Sequence, residues 1–448
     1  MMDVDKLQRI LDIPARFVDL VVQESSETKI VMRDGVIRDI ITGETIGVGI
    51  RVLDRGWGFG STTDIGEAFK IAEKAGRMAR LGKDVEFDVK EPTEDNVYVV
   101  PKINPSQVGL EEKREILRKG AEVVSEFKEI TSSTFVYVDT TTRYRYLSSE
   151  GSDISSDYTR VSLFITAFAK KNGKLQVGSE RIGGTGGLEY LNGIEESSKQ
   201  AAEKAVRLLD AKAAPSGNFK VVLDPKLTGV FIHEALGHAL EADHVIRGES
   251  VLEGKLNKRI GSSLVTVYDD PTLEGSFGFY FYDSEGIRGK RKIVVERGIL
   301  RGYLQSRETA ARLGCEATGN ARSQSYNYPP IPRMSNTYLA SGDMSFEELI
   351  EDIDYGVYLK GSKGGEVDTI RGVFQFSAEE GFIIEKGELG CSIRDVALSG
   401  ETLKILREID GVGEDFDIHI GFCGKATQLV PVGDGGPHIR TFATVGGS

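Results

Sequence analysis

Apolar and polar residues alternate through FVDLVVQESS (17–26), ETKIVMRDG (27–35), VIRDIIT (36–42) and IGVGIRVL (46–53), and a period of two predicts strands. Asp34-Gly35 and Thr42-Gly43-Glu44 are read as the turns of an antiparallel meander, which Trp57-Gly58-Phe59-Gly60 continues. The spacing then lengthens, predicting a helix over 64–81 whose acidic start and basic end suit the helix dipole. Residues 82–108 carry prolines and alternating charge, as an extended connector does.

A second amphipathic helix is predicted over 110–127, four or five strands over 135–184, and a third helix over 194–211. Strands followed by a helix repeat the opening, and Ala72-Glu73-Lys74-Ala75 recurs as Ala202-Glu203-Lys204-Ala205, a candidate duplication. Gly183-Gly184-Thr185-Gly186-Gly187 lacks the Lys-Ser/Thr of a phosphate loop and is read as a mobile turn. Gly433-Asp434-Gly435-Gly436 is also read as a turn.

The linker is placed at Ala213-Ala214-Pro215-Ser216-Gly217. After it come a strand (219–223), a helix start at Asp224-Pro225, and short strands with glycine turns beyond about 255. The expected fold class is α+β in two domains: 1–212, meander sheets with packed helices, and 213–448, mostly β around one helix.

Composition narrows the function. A net charge of −13 over 448 residues argues against a nucleic-acid partner, which demands a basic face. No apolar run approaches a membrane span, and the start MMDVDKLQRI is charged where a secretory signal would turn apolar. Three cysteines, Cys315, Cys391 and Cys423, form no disulfide framework and fit a reducing cytoplasm.

Chemistry concentrates in HEALGHALEAD (233–243). The chain has five histidines, and His233, His238 and His244 all fall in or next to this stretch, together with Glu234, Glu241 and Asp243. Apolar flanks (Val230-Phe231-Ile232 and Val245-Ile246) imply burial, which is costly for such groups unless something binds them. A metal is the commonest such partner.

His233 and His238 are five apart, so a straight helix would hold them about 140° apart. Two geometries restore a metal site. A π-bulge, with Gly237 permitting it, would bring the two rings to one face. Alternatively a straight helix would present Glu234, His238 and Glu241 as a carboxylate-rich stripe. The bland reading is a solvated Glu234–His238 pair on a helix surface.

A catalytic zinc takes three protein ligands, leaving one to find among Glu241, Asp243, His244, His419, Cys423 and His438, with Cys315 and Cys391 behind. Cys423 has the distinctive context: glycines on both sides of Phe422-Cys423 and Lys425 two residues on, which favours a thiolate.

These motifs resemble the TldD subfamily of the TldD/PmbA proteins, which have been named gyrase modulators. HEALGHALEAD matches the family's H-E-x-x-x-H helix, and PPIPRMSNTY (329–338), GGEVDTIRGVFQFSAEEGFIIEKGELG (364–390), GFCGKATQLVPVG (421–433) and GVGIRVLDRGWGFGSTTDI (47–65) match in order along the chain. The resemblance implies a zinc metalloprotease acting on unfolded or extended peptides, with His233, His238 and Cys423 as ligands and Glu234 as general base. It also implies a dimer, with a second copy or with a PmbA/TldE-type chain; that sister type lacks the H-E-x-x-x-H. Glu366 and Thr427 depart from the family's GGQVD and CGKxGQ. Arg333 is a candidate oxyanion donor, although packing or carboxylate pairing suits it better.

Two other classes compete with this reading. One is a metal-free hydrolase with Cys423 as nucleophile, assisted by His438 or another histidine; the other is a non-catalytic regulatory or scaffold subunit.

Overall fold

Two strands of unusual length open the first sheet, Phe17–Arg33 and Val36–Leu53, antiparallel along their whole extent and joined at Asp34-Gly35. The computed structural model describes residues 4–447 and begins with the helix Val4–Leu11; Met1–Asp3 of the charged start lie outside the described residues. The expected turn at 42–44 is absent: Thr42, Gly43 and Glu44 pair with Thr28, Glu27 and Ser26. Polar residues there reflect a ribbon whose middle faces solvent on both sides, so loss of alternation did not mark a turn.

Phe17–Arg33 pairs onward with Ile130–Ser148, and that strand with Asp153–Lys171, building a seven-stranded sheet. The supposed connector supplies one of its strands, Glu94–Tyr98, parallel to Asp153–Lys171. Helices Ala68–Leu81, Leu110–Ser125 and Ile194–Leu209 cover the sheet through small or apolar residues. The recurring alanines, Ala72, Ala75, Ala202 and Ala205, are all essentially fully buried, so both helices meet the strands at close range.

The second half forms a ten-stranded and a six-stranded sheet. The histidine-bearing segment lies between them. Phe231, Ile232, Leu236 and Leu240 are fully buried against Phe374 and Phe376 from the larger sheet and Val430, Val432 and Leu339 from the smaller. Each such side chain contributes about 1.5–3 kcal/mol by leaving water, so the segment is a fixed core element. The overall α+β class agrees with the sequence reading.

The glycines at 183–187 end the strand Lys174–Thr185 and are mostly buried, which corrects the mobile-turn reading. A Cβ at Gly187 would lie 2.0 Å from the Ile103 carbonyl, so close backbone approach requires glycine. Residues 433–436 likewise belong to the strand Gln428–Gly436 and are not a turn.

Ion pairs tie the first sheet to the second half. Lys204, on the helix Ile194–Leu209, pairs with Glu379 and lies 2.7 Å from Glu180, while Lys226 Nζ is 3.2 Å from Glu379. Burial opposes charge on Glu379, but Lys226 and Lys204 more than offset it and hold its pKa below 4.5. A depressed carboxyl pKa stabilises the fold at higher pH and loses that effect as pH falls through the folded value. Glu379→Gln is expected to lower stability at pH 7 by about 3–5 kcal/mol in chemical denaturation. Variant and wild type should converge as pH falls below 4.5; a constant gap across that window would contradict the ion-pair account.

Candidate metal centre

Asp224 starts the helical segment by accepting hydrogen bonds from the Leu227 and Gly361 N–H groups at 2.8 and 3.0 Å, with Pro225 in the first turn. The helix Pro225–Val230 then widens into a π-helix over Phe231–Gly237. The His238 N–H donates to the His233 carbonyl five residues back, so the two imidazoles lie on one face. The straight-helix alternative is overturned. The helix also breaks at Glu241, which is extended, so Glu234, His238 and Glu241 form no continuous stripe.

Gly237 serves differently from its expected role. Its backbone is ordinary helix (φ −58°), and what demands glycine is Met334, whose Sδ would lie 2.0 Å from a Cβ. Gly229 does the same two residues before the π-helix, against the backbone of Gly435. The segment therefore rests directly on the strand Gln428–Gly436, whose antiparallel neighbour Asp417–Lys425 carries Cys423 opposite Val430.

The rings of His233 and His238 are nearly perpendicular, 5.4 Å apart. Cys423 Sγ is 3.6 Å from His238 Nε2, and one donor atom from each of the three residues lies within 4.8 Å of the others. For tetrahedral zinc, Zn–S near 2.3 Å and Zn–N near 2.05 Å require a sulfur-to-nitrogen edge of about 3.6 Å. The donor set therefore fits a zinc ion. His233 is 4 % exposed and its Nδ1 has no hydrogen-bond partner, a buried polar group otherwise unexplained.

Burial disfavours charge on His233, yet the adjoining Cys423 and Glu234 raise its pKa to about 9. Burial likewise pushes the Cys423 thiol up, and the two imidazoles outweigh that and bring it to about 5. The cluster thus favours a thiolate, the form that binds metal.

Behind the donors stands a charged support. The fully buried Glu241 carboxylate is 3.1 Å from His238 Nδ1, fixing the ring so that Nε2 faces the sulfur. Burial raises the Glu241 pKa, but His238 and Lys425 dominate and hold it at about 2. Lys425 Nζ lies 3.1 Å from Glu241 and 2.7 Å from Asp243, clamping the Cys423 strand to the histidine segment. Arg333 donates to the Cys423 carbonyl and sits 4.0 Å from Glu241, fully buried behind the site, in the packing and pairing role and not at an oxyanion position. For Arg333 this is the packing and pairing role that the sequence favours; Glu241 stands behind His238 and not among the three converging donors.

Cys423 reaches its place through a two-residue hairpin in which Lys425 pairs with Gln428. Ala426 and Thr427 both have positive φ, 48° and 62°, the type I′ pattern that glycine and asparagine favour. A β-branched residue is strained there. Thr427→Gly, restoring the family pattern, is expected to stabilise the protein by about 1 kcal/mol, read as a higher denaturation midpoint. A lower midpoint would show that Thr427 contributes something the turn geometry does not explain. Glu366, the other departure, lies exposed on the strand Gly365–Asp368.

Glu234 is about one-third exposed, 3.6 Å from His238 Nε2, and opens into a cleft. Arg181 from the first sheet, Lys226 and His419 also line it, and sequence gave no sign of Arg181. Of the remaining candidates, His244 contacts Glu249 at 3.3 Å and lies 3.8 Å from Glu241 behind the donors, and His438 contacts Tyr358 and Asp415 at 2.8 Å each. His438 is thus committed away from Cys423, which removes it as partner to a cysteine nucleophile. Cys315 and Cys391 are exposed and outside the cluster.

Residues 18–79, 103–209 and 216–447 match the models of the PmbA/TldA metallopeptidase domain 1, central domain and C-terminal domain. A metalloprotease of Methanothermobacter thermautotrophicus is 48 % identical over 100 % of this chain and 99 % of its own. A zinc metalloprotease TldD homolog of Saccharolobus solfataricus is 34 % identical over 88 % of each chain. The crystal structure of TldE from Thermococcus kodakarensis shares the fold, with a TM-score of 0.78 at 19 % identity over 99 % of this chain and all of the other. Matches of this extent, on a chain whose two histidines and distant cysteine converge, show that it belongs to the TldD/PmbA family of metallopeptidases.

Proposed function

We propose that this chain is a zinc-dependent peptidase hydrolysing unfolded or extended peptides, with His233, His238 and Cys423 holding the ion and Glu234 as general base. The observation that carries the reading is the 3.6 Å approach of Cys423 Sγ to an imidazole 185 residues away, beside a second imidazole in the same π-helix. When bound, zinc would supply Lewis acidity to the scissile carbonyl and to water. Glu234, open to the cleft, accepts the proton of the attacking water at its carboxylate and delivers it to the leaving amine. Glu241 holds His238 in the tautomer that leaves Nε2 free. Cys423 is 2 % exposed, which suits a ligand and hinders attack on a substrate.

The cleft lies between the first sheet and the second half, which favours an extended chain over a folded protein. The same reading takes 1–212 and 213–448 as the two domains, a cytoplasmic setting, and a dimer with a second copy or a PmbA/TldE-type chain. Among the described residues, no helix is long and apolar enough to cross a membrane.

Demetallation tests the proposal. A chelator should abolish cleavage of an unstructured peptide, and about one equivalent of zinc per chain should restore it. Cleavage surviving complete metal removal, and lost only to thiol alkylation, would instead establish a cysteine hydrolase.

A further inference from the structure

Away from the metal, a second cavity separates the first sheet from the second half. Tyr144, Tyr158 and Arg160 line it from the first sheet, and Tyr280, Arg322 and Pro431 from the other side. Its charge balance is unusual. Arg322 is 7 % exposed and spends two donors on the Met334 and Pro431 carbonyls, the latter at 2.7 Å. Arg160 donates to the carbonyls of Phe277 and Phe279 at 3.2 and 2.7 Å. Neither has a carboxylate within ion-pair distance among the described residues, whereas the buried arginines Arg51, Arg307, Arg333 and Arg440 each have one. Asp283, the carboxylate in the lining, already accepts from the Glu285, Ile287 and Ala321 N–H groups.

Two guanidinium groups that repel one another in a low-dielectric wall call for an anion. Burial and the neighbouring Arg160 hold the Arg322 pKa down to about 10, with Tyr280 opposing. The rest of the wall is aromatic: Arg160 lies over the Tyr158 ring at 5.1 Å and Arg322 over Tyr280 at 4.9 Å. Such a wall suits an apolar or aromatic group attached to the anion.

We propose that this cavity is an oxyanion-binding site, Arg160 and Arg322 receiving the carboxylate of a small acid whose apolar or aromatic body packs on the tyrosines. It is a site separate from the metal cleft, and its ligand class matches the free carboxylate that a peptidase releases. Inorganic phosphate offers the same oxyanion chemistry without the aromatic body.

Binding to the full chain tests this without any need for catalysis, so its outcome is independent of the peptidase reading. At fixed ionic strength, N-acetylphenylalanine should bind in calorimetry and raise the melting temperature, while N-acetylphenylalaninamide should not. Arg160→Gln should weaken the acid about tenfold or more, the loss of one charge-assisted contact. Tyr144 lines the cavity together with both arginines. Tyr144→Glu should therefore add a competing carboxylate to the same lining, abolishing binding, while Tyr144→Phe keeps binding. The proposal is overturned if the amide binds as well as the acid, if phosphate binds and the acid does not, or if Tyr144→Glu still binds the acid like wild type.

Discussion

Replacing Glu234 with alanine is expected to abolish peptide cleavage while leaving the metal content unchanged. A positioned general base contributes about 10²–10⁴ in rate, and here the same carboxylate would also return the proton to the leaving amine. Glu234 is partly exposed, and its closest charged partner is His238 at 3.6 Å, so truncation removes no buried support. The donors, His233, His238 and Cys423, stay where the π-helix and the hairpin hold them. The loss should therefore appear in kcat, with zinc per chain and melting temperature as in wild type. A variant that still cleaves peptides at the wild-type rate would take the base role away from Glu234.

Cys423→Ser should act on the metal itself. A serine hydroxyl does not ionise near neutral pH, so the thiolate contribution vanishes while size and burial are nearly conserved. Loss of one of three ligands should cost about 3–5 kcal/mol of metal binding, on the order of 10²–10⁴ in affinity, and cleavage should fall with it. Competition with a chromophoric chelator measures this directly. Glu234→Ala and Cys423→Ser thus separate chemistry from binding: the first keeps the ion and loses the reaction, the second loses both. Equal zinc affinity in wild type and Cys423→Ser would remove the sulfur from the site.

The histidine segment was legible because its chemistry is local. Five-residue spacing excluded a straight helix, and the remaining geometries were few enough to name. Which one holds depends on partners distant in sequence: Met334 against Gly237, Gly435 against Gly229, and Leu304 bonding to Leu240 and Ala242 across the helix break. None of these can be read from an eleven-residue window.

The errors share a cause. Glycines at 43, 183–187 and 433–436 were read as turns, whereas the structure uses them inside or at the ends of strands, in several cases where another backbone approaches closely. Local sequence does not distinguish a glycine needed for backbone rotation from one needed for lack of bulk. Conversely, Ala426 and Thr427 make a tight hairpin turn without glycine, which composition alone disguises. Glu241, Lys425 and Arg333 were visible as charges, but their convergence behind the donors is a product of tertiary packing.

The central claim is that a π-helix lets imidazoles five residues apart share one ion with a sulfur from a remote hairpin. A zinc-edge anomalous difference map from crystals of the zinc-loaded protein tests it most directly. The account predicts one peak in contact with His233, His238 and Cys423, at about 2.0–2.1 Å from each ring nitrogen and about 2.3 Å from the sulfur. A peak lacking either imidazole or the sulfur, or zinc bound elsewhere on the chain, would contradict it.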